Sequence, residues 1–253
     1  NRSESDGFAD NLNAAGNDAT SESLNGRLGF NWKTEGGLEI GLGGTWEEFD
    51  LGAQPIVPRA TAGNPNYSSF YARNSSLKEV GKIDSNSQYL NLKKETDFGS
   101  IRSVTSRYDW SLDPNLLDLQ FLLGAPDPMS SQIHENREQW SEELVFQSDE
   151  ENENAWMLGA FLSSNETDGV AIRKIDNISF SGFNETQATT FNLEDQSYAI
   201  FGNAKYTLNN STFVDLGLRM DYVEKQMKRG KVNVVLPSPP DSEAKEDYLW
   251  FTP

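Results

Sequence analysis

One pattern constrains this chain more than any other: apolar and polar residues alternate, segment after segment, with aromatics closing the apolar stripe. Leu24, Gly26, Leu28, Phe30 and Trp32 fall on one side of an extended strand, while Asn25, Arg27, Gly29, Asn31 and Lys33 fall on the other. After Glu35-Gly36-Gly37 the alternation resumes, with Leu38, Ile40, Leu42, Gly44 and Trp46 set against Glu39, Gly41, Gly43, Thr45 and Glu47. This is a hairpin with one greasy face and one wet face. Such a face is covered either by a second protein layer or by lipid.

The pattern recurs in pairs. A weak strand, Ser87 to Lys94, carries Leu90 and Leu92; Ile101 to Trp110 follows with Val104, Tyr108 and Trp110 in phase. Gln139 to Ser148 sets Trp140, Leu144 and Phe146 against Ser141, Glu143 and Gln147, and the acidic run Asp149 to Asn154 leads to Trp156, Leu158, Ala160 and Leu162. Tyr198, Ile200, Gly202, Ala204 and Tyr206 make the clearest strand. Beyond Asn209-Asn210-Ser211 come Val214, Leu216, Leu218, Met220 and Tyr222, alternating with Asp215, Gly217, Arg219 and Asp221.

About eight strands result, joined by connections of two kinds. Short turns lie near Glu35 to Gly37, Glu95 to Gly99, Asp149 to Asn154 and Asn209 to Ser211; long connections run roughly Leu51 to Asp84, Ser111 to Glu138, Thr167 to Asp195 and Gln226 to Glu246. Strict alternation of short and long fits an up-and-down sheet with every long loop at one end, as in outer-membrane barrels. A soluble sandwich has less reason to sort loops by end.

The aromatics form two girdles. Trp46, Trp110 and Trp140, with Tyr198 and Tyr222, fall toward the long-loop end, and Trp32, Trp156 and Tyr206 toward the short-turn end. The eight-residue step from Tyr198 to Tyr206 spans about 26 Å at strand rise. Tilted by about 40°, that gives roughly 20 Å of height, close to the apolar band of a barrel. Arg27, Glu39, Glu143, Lys205, Asp215 and Arg219 on the opposite face suit a hydrated lumen.

Composition narrows the function. A formal net charge of -18 over 253 residues argues against nucleic-acid binding, which needs clustered cations. With no cysteine, disulfides, thiolate metal sites and thiol nucleophiles are excluded. No run approaches the roughly 18 apolar residues of a membrane helix, and the opening NRSESDGFAD has no signal-peptide pattern. His134 is the single histidine, in a long connection beside Glu135, Asn136 and Arg137, and reads as solvated. No catalytic constellation, metal site or cofactor motif emerges, so an enzyme is not expected. Asp149 to Glu153 lacks the glycine and spacing of an EF-hand loop and reads as a turn.

Two loop features remain. Tyr67, Phe70, Tyr71 and Arg73, in the first long connection, join aromatics to one cation and suit planar or anionic ligands such as metal chelates; packing within the loop is the plainer reading. Asn115 to Gly124 places Leu116, Leu117, Leu119, Leu122 and Leu123 near helical spacing and predicts a short amphipathic helix. The Asn-x-Ser/Thr triplets at Asn74, Asn165, Asn177 and Asn184 follow from loops rich in these residues.

Several segments together resemble the barrel of TonB-dependent outer-membrane receptors. REQWSEELVFQSDEENENAWMLGAFLSSNETD, Arg137 to Asp168, is similar to that family's strand, acidic turn and strand ending in Gly-Ala-Phe, with Glu142-Glu143-Leu144 where many members have Gln-Glu-Leu. SYAIFGNAKYTLNNSTFVDLGLRMDYVEK, Ser197 to Lys225, resembles another recurrent hairpin through Gly217-Leu218-Arg219; SIRSVTSRYDW, Ser100 to Trp110, and the closing YLWFTP also fit.

The resemblance implies an all-β fold: an antiparallel up-and-down transmembrane β-barrel segment, about eight to nine strands of a barrel of about 22, with long external loops and short periplasmic turns. Residues 1–253 would be a partial barrel domain, 1–21 an external loop and 22–253 strands and loops, with no plug domain in this stretch. It further implies a bacterial outer-membrane location and active uptake of a scarce ligand, most often an iron-siderophore complex. The implied partners are outer-membrane lipid, the ligand, and the TonB energy-transducing complex through a missing N-terminal region. A passive porin and a soluble β-rich surface-binding protein remain as alternatives.

Overall fold

The computed structural model describes residues 1–7, 9–53, 72–120, 128–149, 154–177, 182–209 and 211–252. One ten-stranded antiparallel sheet dominates. Its strands, in spatial order, are β1 (Arg2–Ser5), β3 (Ser21–Lys33), β4 (Leu38–Leu51), β6 (Val80–Thr96), β7 (Gly99–Asp118), β8 (Met129–Gln147), β9 (Ala155–Asn177), β10 (Phe183–Asn209), β11 (Thr212–Asn233) and β12 (Ser242–Thr252). A two-residue parallel pair, β2 (Asp10–Asn11) with β5 (Ala72–Arg73), lies apart from it. From β3 onward every strand of the large sheet pairs with its chain neighbours, as an up-and-down meander requires.

No second layer covers this sheet among the described residues. The buried apolar residues are Ala9, Ala19, Ala53, Val145, Ala199 and Val223, whereas Leu28 and Leu216 keep 76% and 68% of their surface open. A sandwich buries its leucines and aromatics between sheets. Here they stand uncovered in one stripe, the arrangement of a barrel wall whose outer solvent is lipid.

Register carries that stripe from strand to strand. The row through Trp32 passes Ile40, Leu92, Ser103, Leu144, Ala160 and Ile200. The aromatic girdles slip across these rows. Trp156 on β9 lies four residues below the row through Trp32, and Tyr206 on β10 six below it. At the other girdle, the row through Trp46 reaches Asn86, Asp109, Glu138, Glu166 and Glu194; Trp140 lies two residues below it and Tyr198 four. A slip of nearly one residue per strand, at about 3.3 Å rise and 4.8 Å spacing, corresponds to strands inclined by about 30–35°. Tilt of this size is what closing a sheet into a barrel demands.

The strand β7 departs from the sequence expectation. Thr105 pairs with Leu90 and Glu142, and Ser103 with Leu92 and Leu144, so Ser103, Thr105, Arg107 and Asp109 share the apolar stripe's face. Val104, Tyr108 and Trp110, predicted on that stripe, lie on the opposite, polar face. Glu142 also stands on the apolar face, two residues below Trp140, where its carboxylate accepts hydrogen bonds from Ser103 Oγ (2.7 Å) and Thr105 Oγ1. The hydroxyls offset part of the cost of a carboxylate in this position.

Three further expectations are corrected. The long connections are shorter than polarity suggests: β7 runs to Asp118, β8 starts at Met129, β9 and β10 are separated by residues 178–182, and β11 extends to Asn233. Beyond the girdles both faces meet water, so the ladder continues without an apolar stripe to announce it. The predicted helix at Asn115 to Gly124 is strand over its first part, with Asn115, Leu116, Leu117 and Asp118 paired to Ile133, Gln132, Ser131 and Ser130. Backbone bonds to β8 override the local helical spacing. Only Leu119 and Gln120 are helical, and residues 121–127 lie outside the described segments. Similarly, the N-terminal stretch read as loop contains β1, paired to Ser21–Leu24 of β3.

The first short turn is built as expected. At residues 34–37, Thr34 N donates to Leu38 O (2.8 Å) and Gly37 N to Thr34 O (3.0 Å), with Gly37 at φ +77°, a conformation few other residues adopt. Between the end of β8 and the start of β9, Ser148 N donates to Trp156 O (2.9 Å) and Ser148 Oγ accepts from Trp156 N (2.9 Å).

Candidate functional site

The polar face is continuous across the sheet, and several of its charges are paired. Arg219 grips Asp221 through Nε (2.9 Å to each oxygen) and lies 5.4 Å from the centre of the Phe201 ring. Lys205 sits 4.6 Å over Phe213, and Asn203 donates to Asp215 at 2.5 Å. Hydroxyl pairs Thr45–Ser87 and Ser106–Ser141, both 2.7 Å, bridge neighbouring strands. Phe201 lies flat across Gly159, where a Cβ would overlap the ring, and Phe191 lies across Gly169 in the same way. Aromatic rings thus fill the gaps left by glycines and keep the wall smooth.

Near the long-loop end this face carries an aromatic and cationic group. Trp110 is opposite Ser85 on one side and Arg137 on the other; Tyr108, two residues below, is opposite Ser87 and Gln139. Arg137 Nε donates to Thr167 Oγ1 (3.3 Å), whose side chain is buried, so the guanidinium is tethered along the wall. A tryptophan, a tyrosine and a guanidinium on a hydrated concave wall suit a planar, anionic ligand. Sequence reading missed this group because Tyr108 and Trp110 look like girdle residues; the polar phase Ser103, Thr105, Arg107 and Asp109 was the available signal.

Of the ligand residues predicted in the first connection, Tyr67, Phe70 and Tyr71 lie outside the described residues. Arg73 is placed by its backbone alone, in β5 beside Asn11. His134 is not in a loop but in β8, opposite Val170. Its Nδ1 is bonded to Asp113, and Nε2 lies 2.8 Å from Gln132 Nε2. With Asp113 accepting from Nδ1–H, the Gln132 amide donates to Nε2, and both ring nitrogens are occupied. Among the described residues no group of three His, Asp or Glu side chains is placed to hold a metal. A groove of about 760 Å³, lined in part by His134, Asp168, Asn192, Lys228 and Glu243, lies on the outer side of the strand extensions. It is separated by the sheet from Trp110 and Arg137.

Beyond the apolar stripe, Glu185 organises the connection after β11. Its buried carboxylate accepts from Val234 N (2.7 Å), Val235 N (3.1 Å) and Leu236 N (2.7 Å). Burial pushes this acid upward, but the N–H groups of Leu236, Val234, Val235 and Thr186 together hold it below the ordinary range.

No family model matches the chain, and no curated protein sequence is similar to it. Among solved structures it is similar to the ferric yersiniabactin uptake receptor FyuA from Yersinia pestis, with a TM-score of 0.77 at 12% identity. The match covers 99% of this chain and 37% of that receptor, so the chain spans well under half of its length. The chain therefore has the fold of a wall segment of a large barrel, apolar outside and polar inside.

Proposed function

We propose that this chain forms part of the barrel of a TonB-dependent outer-membrane receptor that takes up a ferric siderophore. The observation that carries the reading is the wall itself: end-to-end similarity to a siderophore receptor's fold, with Tyr108, Trp110 and Arg137 on the polar face near the external mouth. In this reading the apolar stripe rests in outer-membrane lipid, while the polar face lines the lumen. Tyr67, Phe70, Tyr71 and Arg73, in the connection between β4 and β6, supply a second contact for the chelate in this reading. Energy reaches the ligand path through an N-terminal region and TonB, and the wall contributes position and lining.

Uptake of radiolabelled ferric yersiniabactin by whole cells producing the full receptor tests this. Accumulation should require the receptor and stop when TonB is deleted. Accumulation that persists without TonB would identify a passive pore instead. Trp110→Ala with Arg137→Ala, and separately Ser at Tyr67, Phe70, Tyr71 and Arg73, should weaken capture at equal receptor abundance. External loops and lumen residues contribute little to the lipid-facing wall, so assembly should survive both changes.

A further inference from the structure

Two asparagines in the connection between β1 and β3 hold the ends of the neighbouring connection, residues 52–79, in a manner that a backbone strand would. Asn11 Oδ1 accepts from Ser75 N (3.1 Å) while Asn11 Nδ2 donates to Ser75 O (2.9 Å). Asn17, six residues on, repeats the device with Glu79: Oδ1 accepts from Glu79 N (2.9 Å) and Nδ2 donates to Glu79 O (2.8 Å). A side-chain amide has the donor–acceptor geometry of a peptide group. Each asparagine thus forms a two-point pair with a backbone 64 or 62 residues away.

The other end of the same connection is tied to the same segment. Gly52 N donates to Thr20 O (2.9 Å), and Asn17 Nδ2 also reaches Gly52 O. One side chain therefore touches both ends of residues 52–79. The space beneath is closed: Ala9, Ala19, Ala53, Ser75, Glu79 and Asp118 are all buried. Ser75 Oγ donates to Asp118 Oδ2 (2.7 Å), and Asp118 N donates to Glu79 Oε1 (2.7 Å), which anchors the assembly to the top of β7. A Cβ on Gly16 would overlap the Asn11 amide and the Ser75 carbonyl, so the turn can approach only because residue 16 lacks one. This is more than two loops need in order to lie on a surface.

We propose that Asn11 and Asn17 are positioning residues: a clasp in the connection between β1 and β3 that ties Gly52 to Ser75 and Glu79 and fixes where the chain leaves β4 and where it rejoins β6. The proposal rests on the uptake reading in one respect, that the connection between β4 and β6 takes part in ligand capture. The clasp would make capture depend on residues that touch no ligand. Its geometry requires asparagine, because aspartate loses the donor, alanine loses both groups and glutamine is one methylene too long.

The test uses the full-length receptor in detergent. In Asn11→Ala and Asn17→Ala, hydrogen–deuterium exchange at Ser75 and Glu79 respectively should accelerate by roughly tenfold to a hundredfold, the effect of losing two hydrogen bonds. Exchange in the centre of β8 and β9 and the heat-induced gel shift of the barrel should stay unchanged. Gly16→Val should open the Asn11 pair without altering either asparagine. An Asp10→Cys/Ala72→Cys disulfide, spanning paired β2 and β5 residues, should restore capture to Asn17→Ala, while exchange at Glu79 stays fast because its side-chain acceptor is gone.

Radiolabelled ferric yersiniabactin binding should fall about tenfold in the unclasped variants and recover with the disulfide. Unchanged exchange at Ser75 and Glu79 would overturn the clasp. Faster exchange with undiminished capture would reduce it to local packing. If the unaltered receptor does not bind this chelate, the ligand reading fails while the exchange data still judge the clasp.

Discussion

Leu218→Arg gives the most direct measurement of which face meets lipid. Register places Leu218 opposite Gly202, four residues from Tyr222 and four from Val214, the positions opposite Tyr198 and Tyr206. Four residues of strand inclined by about 35° carry it roughly 11 Å below the aromatics at either end. That is the middle of the apolar band, and 59% of Leu218 is open to it. An arginine at the bilayer midplane costs about 2–4 kcal/mol in an outer-membrane barrel. Asp215→Asn, on the opposite face beside Asn203, should stay within about 0.5 kcal/mol, the usual range for a solvated polar change. Glu142→Leu should move the other way or not at all, because it removes a carboxylate from the same apolar face. Urea titration of the full receptor refolding into phosphocholine vesicles would supply all three values. A Leu218→Arg cost below about 0.5 kcal/mol would mean that the stripe does not face hydrocarbon, and the whole assignment of inside and outside would fall with it.

The remaining predictions concern β7 and the connection after β11. In full-length receptors retaining a single tryptophan, lipids brominated on their acyl chains should quench Trp140 strongly and Trp110 weakly; equal quenching would return Trp110 to the outer face. Glu185 should make that connection sensitive to acid. Its folded pKa lies below its unfolded value, so its stabilisation is present above the ordinary carboxylate range and is lost as pH falls through the lowered folded value. Amide protection at Val234, Val235 and Leu236, corrected for intrinsic rates, should therefore hold at neutral pH and decline below about pH 4. In Glu185→Gln that acid step should vanish, and its persistence would assign it to another group.

What the sequence determined by itself is what depends on period two. In Leu24 to Trp32 and in Val214 to Tyr222 the alternation is complete, and each strand's two faces follow from backbone geometry without knowledge of any partner. The short turns were equally legible, since Gly37 and Ser148 act within a few residues. The girdle-to-girdle span between Tyr198 and Tyr206 could likewise be read within one strand.

Tertiary structure alone decided what depends on pairing. β7 offers two competing half-stripes, Val104, Tyr108 and Trp110 against Ile101 and its polar neighbours, and only its rows through Leu90 and Glu142 choose between them. The choice moved Trp110 from a supposed lipid anchor to the candidate ligand face. Asn115 to Asp118 showed helical spacing, yet β8 supplied a ladder that local propensity cannot foresee. The Asn11–Ser75 and Asn17–Glu79 pairs join segments more than sixty residues apart, with no periodicity to mark them. Periodicity is a local property of a chain, whereas register and clasping are set by backbone groups that become neighbours only when the wall is assembled.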